Sequence, residues 1–84
     1  MFEVLLGRSA EKDLRRLPNP IHDRIVRVVS ALSKNPRPFG CRKLTGSEND
    51  WRIRVGDYRV IYEIADANRI VRINRVRHRK EVYR

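Results

Sequence analysis

Cysteine is nearly absent from this chain: Cys41 stands alone in 84 residues. No disulfide can close within the chain, and no cysteine-based zinc site can form. Histidine is scarce too, and neither His22 nor His78 has a carboxylate cluster beside it, so no metal is expected. There is no glycine-rich phosphate loop, and hence no sign of a nucleotide cofactor. No apolar run approaches the roughly 20 residues of a membrane helix. The opening twelve residues are too short, and charged too early, for a signal peptide. The expectation is a cytoplasmic protein that needs neither membrane nor cofactor.

Negative charge is the most telling shortage. Ten Asp and Glu face 20 Lys and Arg, giving a formal net charge of +10 and a pI near 11.0. Charge of this size points to nucleic acid, an anionic membrane or an acidic protein as partner. Lysine is itself rare, limited to Lys12, Lys34, Lys43 and Lys80. The remaining basic residues are arginine, whose guanidinium fork matches phosphate bidentately and stays protonated at any working pH. Arginine can clamp a phosphate but is a poor proton donor or acceptor. Acid–base chemistry must come from elsewhere.

What is present is regular alternation. One domain spans 1–84, small enough to bury only about 60% of the surface its unfolded chain exposes. Phe2, Val4 and Leu6 suggest a short first strand. Ser9 is placed to cap a helix from Ala10 to about Leu17, which Pro18 ends. Asn19-Pro20 reads as an N-cap followed by proline at the first helical position. Ile21, Ile25, Val28, Val29 and Leu32 then continue a second helix to about Lys34. After Asn35-Pro36-Arg37-Pro38 the pattern turns to strand: a short one at Arg42 to Leu44, then Trp51 to Val55, a Gly56-Asp57 turn and Tyr58 to Ile64. A second turn at Asp66-Ala67-Asn68 leads into a last strand of roughly Arg69 to Val76. The predicted fold is α+β: an N-terminal strand, a two-helix hairpin, then a twisted, mostly antiparallel sheet of three to four strands with the helices on one face.

In the central hairpin Trp51, Ile53, Val55, Tyr58, Val60, Tyr62 and Ile64 share the inward phase, leaving Arg52, Arg54 and Arg59 on the other face. The C-terminal stretch adds Arg69, Arg72, Arg75, Arg77, Arg79, Lys80 and Arg84, opposed only by Glu81. A solvated face is the ordinary explanation of such residues. Like charges opposite one another on neighbouring strands destabilise a sheet, however, and this count favours an anion-binding face. His22 fits an exposed or capping position, and Cys41 an inert thiol. His78 could titrate near neutrality. Tyr83, beyond the final strand, could stack on a base, deprotonate a nucleophile or simply pin the C-terminus.

Three stretches, KLTG from Lys43, WRIRVGDYRVIYEI from Trp51 and VRHRKEVYR from Val76, resemble the RelE branch of the RelE/ParE toxin superfamily. The resemblance covers almost the whole chain. It implies a toxin paired with a RelB-like antitoxin, acting as a metal-free endoribonuclease that cuts mRNA in the ribosomal A site and inhibits translation. It further implies catalytic roles for Arg52, Arg54, Arg59 and Tyr83, with Arg79 as the last-strand arginine if His78-Arg79 is the anchor and Arg77 otherwise. Lys43, Arg77, His78 and Lys80 would contact RNA. Some relatives carry lysine where this chain has Arg52 and Arg54, which leaves Tyr83 or His78 as the proton acceptor. A ParE-like poison of DNA gyrase and a non-catalytic RNA-binding module are the alternatives.

Overall fold

A computed structural model describes residues 1–82, so the expectations for Tyr83 and Arg84 lie outside the described residues. The chain runs β1 (Glu3–Leu6), α1 (Arg8–Arg15), α2 (Asn19–Ala31), β2 (Arg42–Lys43), β3 (Asp50–Val55), β4 (Tyr58–Ala65), β5 (Ile70–His78) and α3 (Arg79–Val82). The five strands form one sheet in the order β1-β5-β4-β3-β2. β1 runs parallel to β5, and every other pairing is antiparallel. The expected α+β architecture is present, with β1 joining the main sheet as its fifth strand.

Both helix starts differ from the expected caps. Gly7, not Ser9, precedes α1, and Pro18, not Asn19, precedes α2. Gly7 is where β1 turns into α1, and its N–H donates to the Ile73 carbonyl at 2.8 Å. A Cβ there would sit 2.9 Å from that oxygen, so the strand-to-helix corner requires glycine. Ala31 ends α2 earlier than expected, and Leu32 to Lys34 continue as tight turns bonded to carbonyls three residues back. The helices cover one face of the sheet, where Ile25, Leu32, Val60, Tyr62, Ile64, Val71 and Ile73 are fully buried.

One irregularity sets which side chains reach the other face. Ile61 pairs with Arg75 and Tyr62 with Ile73, so Asn74 has no opposite number and β5 carries a bulge. Val71 and Ile73 point into the core, and strict alternation would send Arg75 and Arg77 inward after them. The extra residue resets the phase. Val76 becomes the buried residue opposite Val60, while Arg75 and Arg77 join Arg59 on the open face.

The loop between α2 and β2 is held at several points. Tyr62 Oη donates to the Pro36 carbonyl at 2.8 Å, and burial, followed by the nearby Cys41, pushes the Tyr62 phenol well above its usual range. Arg37 grips both carboxylate oxygens of Asp66 at 3.2 and 2.8 Å, which holds that carboxyl below its usual range. The same guanidinium lies 5.1 Å from the centre of the Trp51 ring.

Candidate functional site

Strand register assembles the arginines. Arg54 on β3 is the direct partner of Arg59 on β4, and Arg59 is the direct partner of Arg77 on β5. Three guanidinium-bearing positions therefore form one row across three adjacent strands, with neighbouring Cβ atoms roughly 4.5–5.5 Å apart. Arg59, at the centre, is only 7% exposed. A second row runs Arg42, Arg52, Ile61 and Arg75 from β2 to β5.

The first row ends in a small concavity. Gly56, at φ 60°, makes the tight β3–β4 turn, and the carbonyl of Asp57 beside it accepts the Arg79 N–H at 2.8 Å. That bond brings the start of α3 over the turn. Arg79 consequently lines a pocket of about 40 Å³ with Arg54, Gly56, Asp57, Tyr58 and Arg59. A space of this size takes a few water-sized groups, which suits the oxygens of one phosphate rather than a whole nucleotide. Arg77 lies in the row and Arg79 at the pocket, so both C-terminal candidates come to the same end of the sheet.

Carboxylates on this side are more numerous than the C-terminal sequence alone suggests. Arg72 meets Glu63 at 3.3 Å, and Arg77 Nε meets Glu81 at 3.0 Å. Arg75 bonds both oxygens of Asp13, at 3.0 and 3.3 Å, and Asp13 also accepts the Val76 N–H at 2.9 Å. β1 has ended by this level, so the helical carboxylate caps the exposed edge of β5. Among the described residues, no ion pair engages Arg54 or Arg79. The pocket is therefore lined by Arg54 and Arg79 with no ion pair to either, and by one carboxylate residue, Asp57.

The remaining candidates are placed unevenly. Lys43 opposes Trp51 and shares its helix-facing side, whereas Arg42, which sequence reasoning passed over, opposes Arg52 on the arginine face. Lys80 is exposed on α3. The His78 ring meets Tyr58 edge-on, with centroids 5.1 Å apart, and its Nδ1 accepts the Lys80 N–H at 3.2 Å. With Nδ1 so engaged, the neutral ring carries its proton on Nε2 and has no lone pair to offer a hydroxyl. Tyr58, expected wholly in the core, also lines the pocket. Its place beside the turn is the signal that marks it. Among the described residues, no three of His, Cys, Asp and Glu converge as metal ligands.

The chain is a compact α+β domain with an arginine row ending in a small pocket, and comparison with known proteins places it in a class of toxins. The model of the ParE toxin of the type II toxin–antitoxin system parDE matches residues 4–83. Toxin RelE3 of Methanocaldococcus jannaschii is 35% identical over 86 residues, covering 98% of this chain and 96% of its own. Toxin RelE of Mycobacterium tuberculosis is 34% identical over 84 residues, covering 99% and 87%. The archaeal RelE–RelB complex from Pyrococcus horikoshii superposes with a TM-score of 0.83 at 29% identity, over 93% of this chain and 94% of that one. The chain belongs to the RelE/ParE toxin superfamily, as a RelE-type toxin.

Proposed function

We propose that this toxin is a ribosome-dependent mRNA endonuclease that works without a metal in the ribosomal A site, in the cytoplasm, and so stops translation. The observation that carries the reading is the row Arg54–Arg59–Arg77 ending at the pocket shared with Arg79. In the proposed reaction the message's own 2′-oxygen attacks the adjacent phosphorus and the bond to the 5′-oxygen breaks. The products are a 2′,3′-cyclic phosphate and a 5′-hydroxyl. Arg54, Arg59 and Arg79 neutralise the charge gained by the phosphorane, with Arg77 beside them and Arg52 holding the flanking backbone. One pre-placed donor of this kind contributes about 3–4 kcal/mol to a transition state. The 2′-proton passes to a group other than arginine, Tyr83 being assigned that role by resemblance, and the departing 5′-oxygen takes up a proton from water to become the 5′-hydroxyl.

Purified toxin added to translating ribosomes should produce new mRNA ends at discrete codons. Intact message at stoichiometric toxin contradicts the proposal. A second reading, poisoning of DNA gyrase, has one observation in its favour, the ParE family match. It predicts accumulated DNA breaks with translation unaffected.

The partner proposed is a RelB-like antitoxin. Three comparison structures, from Mycobacterium tuberculosis, Pyrococcus horikoshii and Methanococcus jannaschii, are toxin–antitoxin complexes. An acidic chain would answer the +10 charge, and an apolar groove of about 380 Å³ lined by Val4, Leu6, Leu14, Val26 and Val29 could seat its hydrophobic anchors. Leu6 and Val26 are exposed there. Val26→Glu should weaken antitoxin binding by tenfold or more, roughly the effect of losing one apolar anchor, and leave message cleavage intact. Unchanged affinity by calorimetry removes the groove from the interface.

A further inference from the structure

Phe39 is the one aromatic side chain among the described residues that is exposed, and it is wholly so. It does not sit on a loose loop. The Cys41 N–H donates to the Pro38 carbonyl at 3.1 Å, and Gly40 has φ 94°. Pro38-Phe39-Gly40-Cys41 is therefore a type II turn, with Phe39 at its first corner and glycine where positive φ is required. The turn is clamped on its N-terminal side by the Tyr62–Pro36 hydrogen bond and the Arg37–Asp66 and Arg37–Trp51 contacts. A rigid loop thus presents a phenyl ring to solvent at a place where burial would be worth about 1.5–3 kcal/mol. No contact among the described residues uses it.

Its surroundings indicate what does. No carboxylate occurs in the sequence between Asp23 and Glu48; Arg37, two residues before the ring, is held by Asp66, and Arg42 follows three residues after it. Arg42 opens the second arginine row, opposite Arg52. An aromatic platform at the head of a basic track is the arrangement that grips single-stranded nucleic acid, with bases on the ring and phosphates on the cations. A protein anchor calls for apolar neighbours around the aromatic, whereas the sequence on either side of this ring is Arg37-Pro38 and Gly40-Cys41-Arg42.

We propose that Phe39 is a stacking platform for an unpaired RNA base, and that the strand bearing this base continues over Arg42 toward Arg52. The inference rests on the RNA-directed reading above and adds to it a contact remote from the phosphate pocket. The base belongs either to the message or to ribosomal RNA. The ring is pre-ordered by its turn, so stacking adds little ordering cost.

The test uses the full chain, a 2′-O-methyl single-stranded oligonucleotide that the proposed reaction cannot cut, and vacant ribosomes. Phe39→Ala should bind one or both about 5- to 150-fold more weakly, the range for losing one stacked base. Phe39→Trp should restore affinity, and its indole fluorescence should be quenched on binding. The loss should vanish on an abasic oligonucleotide. Loss on the free oligonucleotide assigns the base to message; loss on vacant ribosomes alone assigns it to ribosomal RNA. The side chain is exposed, so the melting temperature should not move. Wild-type affinity of Phe39→Ala for both RNAs overturns the proposal, and weakened antitoxin binding in its place assigns Phe39 to the protein partner. If wild-type toxin binds neither RNA, the ribonuclease reading falls as well. If it binds and Phe39→Ala binds equally, only the platform falls.

Discussion

Arginine and histidine divide the chemistry at the scale of single residues. Arg59 is held nearly out of solvent between Arg54 and Arg77, which sets guanidinium groups side by side on three adjacent strands. Such a residue serves charge stabilisation and not proton transfer. His78 looks from sequence like the alternative proton acceptor, yet its Nδ1 is committed to the Lys80 N–H and its ring to Tyr58. His78→Asn keeps an acceptor near the Nδ1 position. The cleavage rate should stay within a few-fold of wild type, with an unchanged shape to its pH dependence. Loss of about 10²–10⁴-fold with an altered pH–rate profile is the signature of a general base, and would return His78 to that role. The sequence reveals which residues are arginine. It does not reveal which nitrogen of a histidine is occupied, because that depends on where the chain places a backbone N–H two residues later.

Most element positions were legible, since period-2 and period-3.6 patterns are local properties. The hairpin of β3 and β4 and its Gly56-Asp57 turn lie where the periodicity puts them, and both main helices are present with ends shifted by up to three residues. The β5 bulge was not legible. "VRINRVRH" reads as plain alternation, and only pairing with β4 shows that Asn74 is the extra residue that turns Arg75 and Arg77 outward. Asp13 was missed for the same reason. Its partners, Arg75 and the Val76 N–H, lie on the far side of the sequence. Its side chain is 14% exposed, and its loss leaves a strand-edge N–H and a guanidinium without their acceptor. Asp13→Ala should destabilise by about 1–3 kcal/mol, lowering the melting temperature by roughly 4–8 °C per kcal/mol for a domain of this size. Calorimetry or circular dichroism reads this directly. An unchanged melting temperature would show that Asp13 does not fasten α1 to β5.

At the scale of the whole molecule, a +10 chain of 84 residues is organised as two surfaces around a thin core. One sheet face carries the arginine rows and the phosphate-sized pocket. The helical side carries the apolar groove between β1, α1 and α2. Composition alone made the charge legible and left nucleic acid, an anionic membrane and an acidic protein open as partners. It could not show that Glu63, Asp13 and Glu81 engage all three β5 arginines, while Arg54 and Arg79 line the pocket. In the proposed reaction the arginines at this pocket stabilise a cleaving phosphate. The most direct measurement is the single-turnover cleavage rate of message on programmed ribosomes by wild-type toxin and by Arg59→Ala. Wild type should cleave, and the variant should cleave about 10²–10³-fold more slowly, as for removal of one transition-state donor, with the fold intact by circular dichroism. Equal rates for the two proteins would contradict that stabilisation.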